Sequence, residues 1–229
     1  MPLTDGEVIA GYTISRRLGA GGMGEVYLAK HPRLPRYDAL KVLSAAVTAD
    51  DEYRQRFNRE ADIAATLWHP HIVQVHDRGE FDGRLWISMD HVEGTDAAAL
   101  LAQRYPDGMP PELVARIVSA VGDALDYAHQ RGLLHRDVKP GNVLVAEGDH
   151  AKISDFGIAR SNAADEHRTQ TGLMTGTPAY FSPELARGAD SSPASDVWAL
   201  GATLYAAVEG RQPYAPRENA IATLAAIAR

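Results

Sequence analysis

The sequence predicts an α+β chain in two parts: a small strand-rich lobe to about residue 90 and a mainly helical lobe after it. Three observations carry this. Short alternating runs dominate before Asp90, helical periodicity dominates after Gly94, and a polar stretch at 90–94 reads as a hinge. With 229 residues, 45% of them hydrophobic, the chain has material for one or two buried cores.

In chain order, Gly11–Leu18 and Gly24–Lys30 alternate, and Asp38–Leu43 is a third strand. Tyr53, Phe57, Ala61, Ala64 and Leu67 recur at helical spacing, which predicts a helix over Asp51–Trp68 ended by Pro70. Ile72–Val75 and Leu85–Met89 read as strands, with a turn at Phe81-Asp82-Gly83. Leu113, Ile117, Val121, Ala124, Leu125 and Ala128 form one face of a long helix that Gly132 closes. Short strands follow near Asn142–Val145 and Lys152–Ser154, then a polar loop over Ser161–Gly176. The helix Asp196–Glu209 is apolar on every side, which predicts full burial.

Charged residues make up 23% and the net charge is −7, so neither disorder nor nucleic acid as the main partner is expected. Without cysteine there are no disulfides and no thiolate metal sites, which suits a reducing cytoplasm. Residues 1–11 read as an N-terminal extension with neither a basic nor an apolar leader segment. No apolar run reaches the roughly 18–20 residues that span a bilayer. The reading is a soluble cytoplasmic chain without membrane contact, any anchor lying after Arg229.

Chemistry first shows at Gly19-Ala20-Gly21-Gly22-Met23-Gly24-Glu25-Val26. Gly19, Gly21 and Gly24 let backbone N–H groups approach phosphate. The same spacing suits a plain hairpin turn, and in dinucleotide-binding folds it joins a strand to a helix. Alternation resumes after these glycines, so a strand–loop–strand hairpin is expected. Lys41 stands in the apolar run Ala39-Leu40-Lys41-Val42. A lysine there needs an anionic partner, because burying it alone costs on the order of several kcal/mol. A triphosphate would serve, and so would Glu60 on the next helix, although Glu60 also lies four residues after Arg56 as an ordinary surface pair would. Asp51, Glu52 and Asp62 read as solvated.

His135-Arg136-Asp137-Val138-Lys139-Pro140-Gly141-Asn142 lies between a capped helix and a strand. Asp137 can take a proton from a substrate hydroxyl, Lys139 can neutralise a moving phosphoryl group, and Asn142 offers Mg²⁺ a neutral oxygen. Asp155, in Asp155-Phe156-Gly157, offers the anionic ligand. Phosphoryl transfer needs positioning and cations more than covalent help.

These four motifs, in this order, resemble the eukaryotic-type protein kinase family, over the span from about Tyr12 to the end. The resemblance implies the bilobal kinase fold, with residues 12–93 as an antiparallel N-lobe carrying one helix and 94–229 as a mainly helical C-lobe in which the family's last helices are missing. It implies ATP and Mg²⁺ (or Mn²⁺) as cofactors. Leu18, Val26, Ala39 and Leu144 are then the adenine contacts. Met89 resembles the gatekeeper, and Asp90 and Val92 offer hinge backbone hydrogen bonds. His135 and Phe156 become core-packing members, and Asp196 resembles the aspartate that anchors the catalytic loop.

Lys139 is similar to the serine/threonine branch, so protein Ser/Thr hydroxyls are the implied substrates. Gly176–Glu184 resembles the substrate platform, with Thr177 bonded to Asp137 and Lys139. Thr169, Thr171 and Thr175 are candidate autophosphorylation sites, read by Arg136 and Arg160 through charge-assisted hydrogen bonds. A solvated polar loop is the alternative. Glu184 has, in the family, an arginine partner that this sequence lacks. His69-Pro70-His71 and the phrases around His135 and Asp155 look like mycobacterial receptor kinases, which implies bacterial signalling, a membrane anchor on the full-length protein and a homodimer through the N-lobe. His69, His71 and His76 read as loop histidines rather than a zinc site, with no carboxylates aligned beside them. Two competing readings are a nucleotide-binding pseudokinase, which usually has lost Lys41, Asp137, Asn142 or Asp155, and a small-molecule phosphotransferase, which would have no use for the platform.

Overall fold

The computed structural model describes residues 2–21, 24–44, 48, 51–156, 178–214 and 220–229. They form two compact units, Met1–Trp68 with Val73–Val92, and His69–Ile72 with Glu93–Arg229.

The first unit is built on six antiparallel strands: β1 (Val8–Ile9), β2 (Tyr12–Gly21), β3 (Gly24–Lys30), β4 (Tyr37–Leu43), β5 (Val75–Phe81) and β6 (Arg84–Asp90). Their spatial order is β1-β2-β3-β4-β6-β5. The β2–β3 hairpin demands glycine at 24, where φ is 153° and an added Cβ would overlap the Val42 carbonyl. Between β5 and β6, Asp82 (φ 49°) and Gly83 (φ 71°) make a two-residue turn of the kind that matches strand twist. Ile9, Tyr12, Ile14, Tyr27, Leu40, Val42 and Trp86 fill the core on one side of the sheet. Helix α1 (Asp51–Ala65) buries Phe57, Ala61 and Ala64.

Two expectations change here. The helix stops at Ala65 rather than Trp68, because Thr66 turns both its amide and its hydroxyl back to the Ile63 carbonyl and tightens the last turn. Ile72–Val75 is not a strand. Ile72 makes one parallel bridge, to Ile153, and β5 starts at Val75. The backbone groups between go to unrelated partners: the Ile72 amide to His69, the His71 carbonyl to Ile153, the Gln74 carbonyl to Asp90.

In the second unit, β7 (Gly94–Asp96), β8 (Val143–Ala146) and β9 (Ala151–Ile153) form a small antiparallel sheet. Asp96 caps α2 (Ala97–Gln103) by accepting from the Ala99 amide at 2.9 Å. Helix α3 (Pro111–His129) buries the apolar stripe read from the sequence, and Gly132 (φ 75°) lets the chain leave with its amide on the His129 carbonyl. Then come α4 (Pro183–Ala186), α5 (Pro193–Glu209) and α6 (Ala220–Ile227). A reciprocal Ser192/Ser195 capping box starts α5 three residues before the expected Asp196.

Helix α5 corrects a further expectation. It packs against α3 and the turn Pro178–Tyr180 through Ala199, Ala202, Thr203 and Ala206, but Val197, Trp198 and Val208 are 59%, 41% and 43% exposed. It is apolar on more sides than the described neighbours cover.

The far end of α5 is pinned by close backbone approach. A Cβ at Gly108 (φ 109°) would overlap the Val208 carbonyl, whereas Gly188 (φ 87°) has open space around it. Gly188→Ala should therefore cost only conformational strain, about 1 kcal/mol, and Gly108→Ala about 2–4 kcal/mol. Urea unfolding of the two variants checks this ordering.

Candidate active site

In the first unit, strand register gathers four of the predicted nucleotide residues, Val26, Ala39, Lys41 and Met89. Residues directly opposite in an antiparallel pair share a face. Lys41 stands between Val26 and Ile87, and Ala39 stands between Leu28 and Met89. Two residues apart on β4, Ala39 and Lys41 project the same way, so Val26, Ala39, Lys41 and Met89 lie on one face. Gly24 sits opposite Leu43 at the edge of that patch. Leu18 falls at a register irregularity between Arg17 and Gly19 and is 37% exposed. Glu60 shares the buried side of α1 with Phe57, Ala61 and Ala64 and is half-buried. Arg56, its candidate surface partner, bonds Glu52 instead (3.0 Å). Asp62 is not merely solvated. Arg78 grips both its oxygens (2.8 and 2.9 Å), and that hydrogen bond holds its carboxyl below the ordinary range.

The second unit builds a tighter constellation around Asp196 in the first turn of α5, a carboxylate 2% exposed. Its Oδ2 accepts from the His135 amide (2.8 Å) and its Oδ1 from the Arg136 amide (2.7 Å). Arg136 has φ 65°, a conformation that needs such support. His129, the last residue of α3, adds a third bond, Nε2 to Asp196 Oδ2 at 2.9 Å. Nothing in the sequence spacing singles out His129, because its partner lies 67 positions away.

From this anchor the loop presents Asp137. Lys139 Nζ donates to Asp137 Oδ2 (2.8 Å), and Asn142 Nδ2 donates to Asp137 O (2.8 Å) and Oδ2 (3.1 Å). With both amide hydrogens turned to Asp137, Asn142 keeps Oδ1, a hard neutral oxygen, for a cation. The Asn142 carbonyl accepts from the Ser154 amide (2.9 Å) and hydroxyl (3.2 Å), which holds the strand end bearing Asp155 (φ 62°) against Asn142. The donor set therefore suits a divalent hard cation: one carboxylate and one amide oxygen on adjoining segments.

His135 locks the two segments from beneath. It is fully buried, its ring 4.7 Å from that of Phe156. Nε2–H donates to Ser154 O (2.8 Å), and Nδ1 accepts from the Asp137 amide (3.2 Å). Only the neutral ring does both, and burial holds its pKa below 6.5.

A recess beside the loop is lined by Asp137, Tyr180, Phe181, Leu185 and Ala199. Glu184, next to it, is covered locally. Burial pushes its carboxyl up, but its own amide and the Ser182 and Ser195 hydroxyls outweigh this and hold it below the ordinary value. Gly157, Arg160, Thr169, Thr171, Thr175 and Thr177 lie outside the described residues. His76 departs from expectation, because it faces two carboxylates, Asp90 (3.0 Å) and Asp38 (3.5 Å).

The protein kinase domain model matches residues 12–228. The chain belongs to the protein kinase family. It is 57% identical over 218 residues to serine/threonine-protein kinase PknF of Mycobacterium tuberculosis, covering 93% of this chain and 46% of that protein. PknI of the same species is 50% identical over 217 residues, covering 93% and 34%. The chain thus spans less than half the length of these curated relatives. The crystal structure of the PknI kinase domain superposes with a TM-score of 0.78 at 48% identity, covering 95% of this chain and 80% of that one. Protein kinases as a family use ATP and a divalent metal ion. The Asp137–Lys139–Asn142 cluster and the Val26–Lys41 patch both lie within the matched residues.

The neutral His135 has a measurable consequence. As pH falls through about 6.5 the unfolded chain takes up this proton and the folded chain resists it. Unfolding free energy should decline on acidification below that point, with His135 contributing a slope of up to about 1.4 kcal/mol per pH unit. Urea unfolding of wild type and His135→Gln across this range checks it, and the variant should show the shallower slope.

Proposed function

We propose that this chain is the catalytic domain of a serine/threonine protein kinase that transfers the ATP γ-phosphoryl group to protein hydroxyls. The single observation that carries the reading is the Asp137–Lys139–Asn142 constellation, held by the Asp196 clamp on two consecutive loop amides. Asp137 accepts the substrate hydroxyl proton. Lys139, already on Asp137 Oδ2, faces the charge that develops on the γ-phosphoryl oxygens. Asn142 and Asp155 would hold Mg²⁺, which would supply charge neutralisation at the triphosphate.

From the first unit, Lys41 takes the α/β-phosphates and Glu60 steadies its ammonium group. Leu18, Val26, Ala39 and Met89 cover adenine, joined by Leu144. The Asp90 amide already donates to Gln74 O (2.9 Å), so the adenine hydrogen bond of Asp90 falls to its carbonyl and the donor is the Val92 amide. Tyr180, Phe181 and Leu185 seat the residues around the target hydroxyl, with Thr177 completing the loop. Thr169, Thr171 and Thr175 are the proposed autophosphorylation sites. Residues 12–93 and 94–229 serve as the two lobes. A membrane-anchored full-length protein and a homodimer through the first unit rest on the family resemblance alone. Among the described residues no helix is long and apolar enough to cross a membrane.

Labelled ATP with Mg²⁺ and a generic protein substrate tests the reading. Asp137→Asn should lower kcat by about 10²–10⁴-fold, and Lys41→Met should be comparably damaging. Nucleotide binding without transfer by the wild type would instead identify a pseudokinase.

A further inference from the structure

We infer that Tyr27 is a positioning residue for the glycine-rich hairpin, and that the N-terminal segment before β1 acts on the hairpin through it. The inference rests on the kinase reading above, in which this hairpin cradles phosphate.

The geometry is a relay through one buried hydroxyl. The Leu3 amide donates to Tyr27 Oη (2.9 Å), and Tyr27 Oη donates to Glu25 Oε2 (2.6 Å). Arg17 Nη1 donates to the other carboxylate oxygen, Glu25 Oε1 (3.1 Å). Arg17 stands on β2 just before Leu18-Gly19, and Glu25 follows Gly24 on β3. The relay therefore ties together the two stems of the hairpin, where the β2–β3 register is broken between Arg17 and Gly19. A broken register leaves the stems short of ladder hydrogen bonds.

The segment that supplies Leu3 is itself fixed. Leu3 is 8% exposed and packs in the core with Ile9, Tyr12, Ile14 and Tyr27. The Gly6 amide donates to Ile14 O and the Ile14 amide to Glu7 O, both at 2.9 Å. Thr4 donates its amide and hydroxyl to Glu7 Oε2.

Energetically the Tyr27 link outweighs the Arg17 link. Arg17 is 54% exposed, so its ion pair is screened by water. Tyr27 is fully buried and its bond to a carboxylate is charge-assisted. Burial, then Glu25, raise the Tyr27 pKa, so the hydroxyl keeps its proton, and the Tyr27 bond is the main cause that lowers the pKa of Glu25.

A hairpin whose amides must converge on phosphate binds more tightly when it is ordered beforehand. Tyr27→Phe keeps the ring and deletes the relay. Deleting residues 1–5 removes the Leu3 amide by an independent route. Each should weaken Mg·ATP binding by about three- to tenfold, and raise KM for ATP alike, with kcat at saturating ATP within about twofold of wild type. Combining them should weaken binding no further, because both act on one relay. Hydrogen exchange of the 17–27 amides in nucleotide-free protein should quicken in both. Wild-type affinity and exchange in Tyr27→Phe, or losses that multiply in the double variant, would overturn the inference. A wild type that fails to bind Mg·ATP would sink the kinase reading instead, while hairpin exchange still decides the relay.

Discussion

One buried carboxylate organises the chemistry of this molecule. Asp196 sits in the first turn of α5 and accepts from two consecutive backbone amides of the loop that carries Asp137. Taking a carboxylate out of water is costly unless charge-assisted hydrogen bonds replace the lost hydration. Here three donors do so, the two amides and His129. The arrangement also has a favourable field. Asp196 lies at the positive end of α5, and His129 lies at the negative end of α3. Residue 136 is held at positive φ by the same contact, which turns the next side chain, Asp137, toward Lys139 and Asn142.

The loop and the strand end after it are then sewn together without further charges. His135 spans Ser154 O and the Asp137 amide, and Asn142 O gathers two bonds from Ser154. A neutral imidazole is the right part for this position, because an imidazolium would lose the acceptor that the Asp137 amide needs. In the first unit the counterpart is strand register rather than hydrogen bonding. One β4 residue in two faces the Val26–Met89 side, and that alternation puts Ala39 and Lys41 side by side.

Much of this was legible in the sequence because the motifs are local. Gly19–Val26, Ala39–Val42 and His135–Asn142 each carry their geometry within eight residues, and the α3 stripe from Leu113 to Ala128 reads directly as a buried face. What escaped depends on distant partners or on caps. Strand β7 and helices α2, α4 and α6 are short, so periodicity had too few residues to register them. Thr66 ended α1 by local hydrogen bonding before Pro70 could. His76 looked like a loop histidine because the carboxylates it meets, Asp38 and Asp90, come from other strands. His129 and Tyr27 carried no signal, since a histidine ending a helix and a tyrosine in a strand are ordinary until their partners are seen.

The outer side of α5 bears on how the polypeptide behaves as a solute. Val197, Leu204, Tyr205 and Val208 recur at helical spacing beside Trp198, so among the described residues they form one partly exposed apolar seam rather than scattered points. Cohesion between such seams is short-ranged, and the repulsion of chains each carrying a net charge of −7 is longer-ranged but fades as salt shortens the Debye length. Dilute, low-salt solution favours dispersed molecules, and added salt tips the same molecules toward sticking, with no change in how well each one is folded.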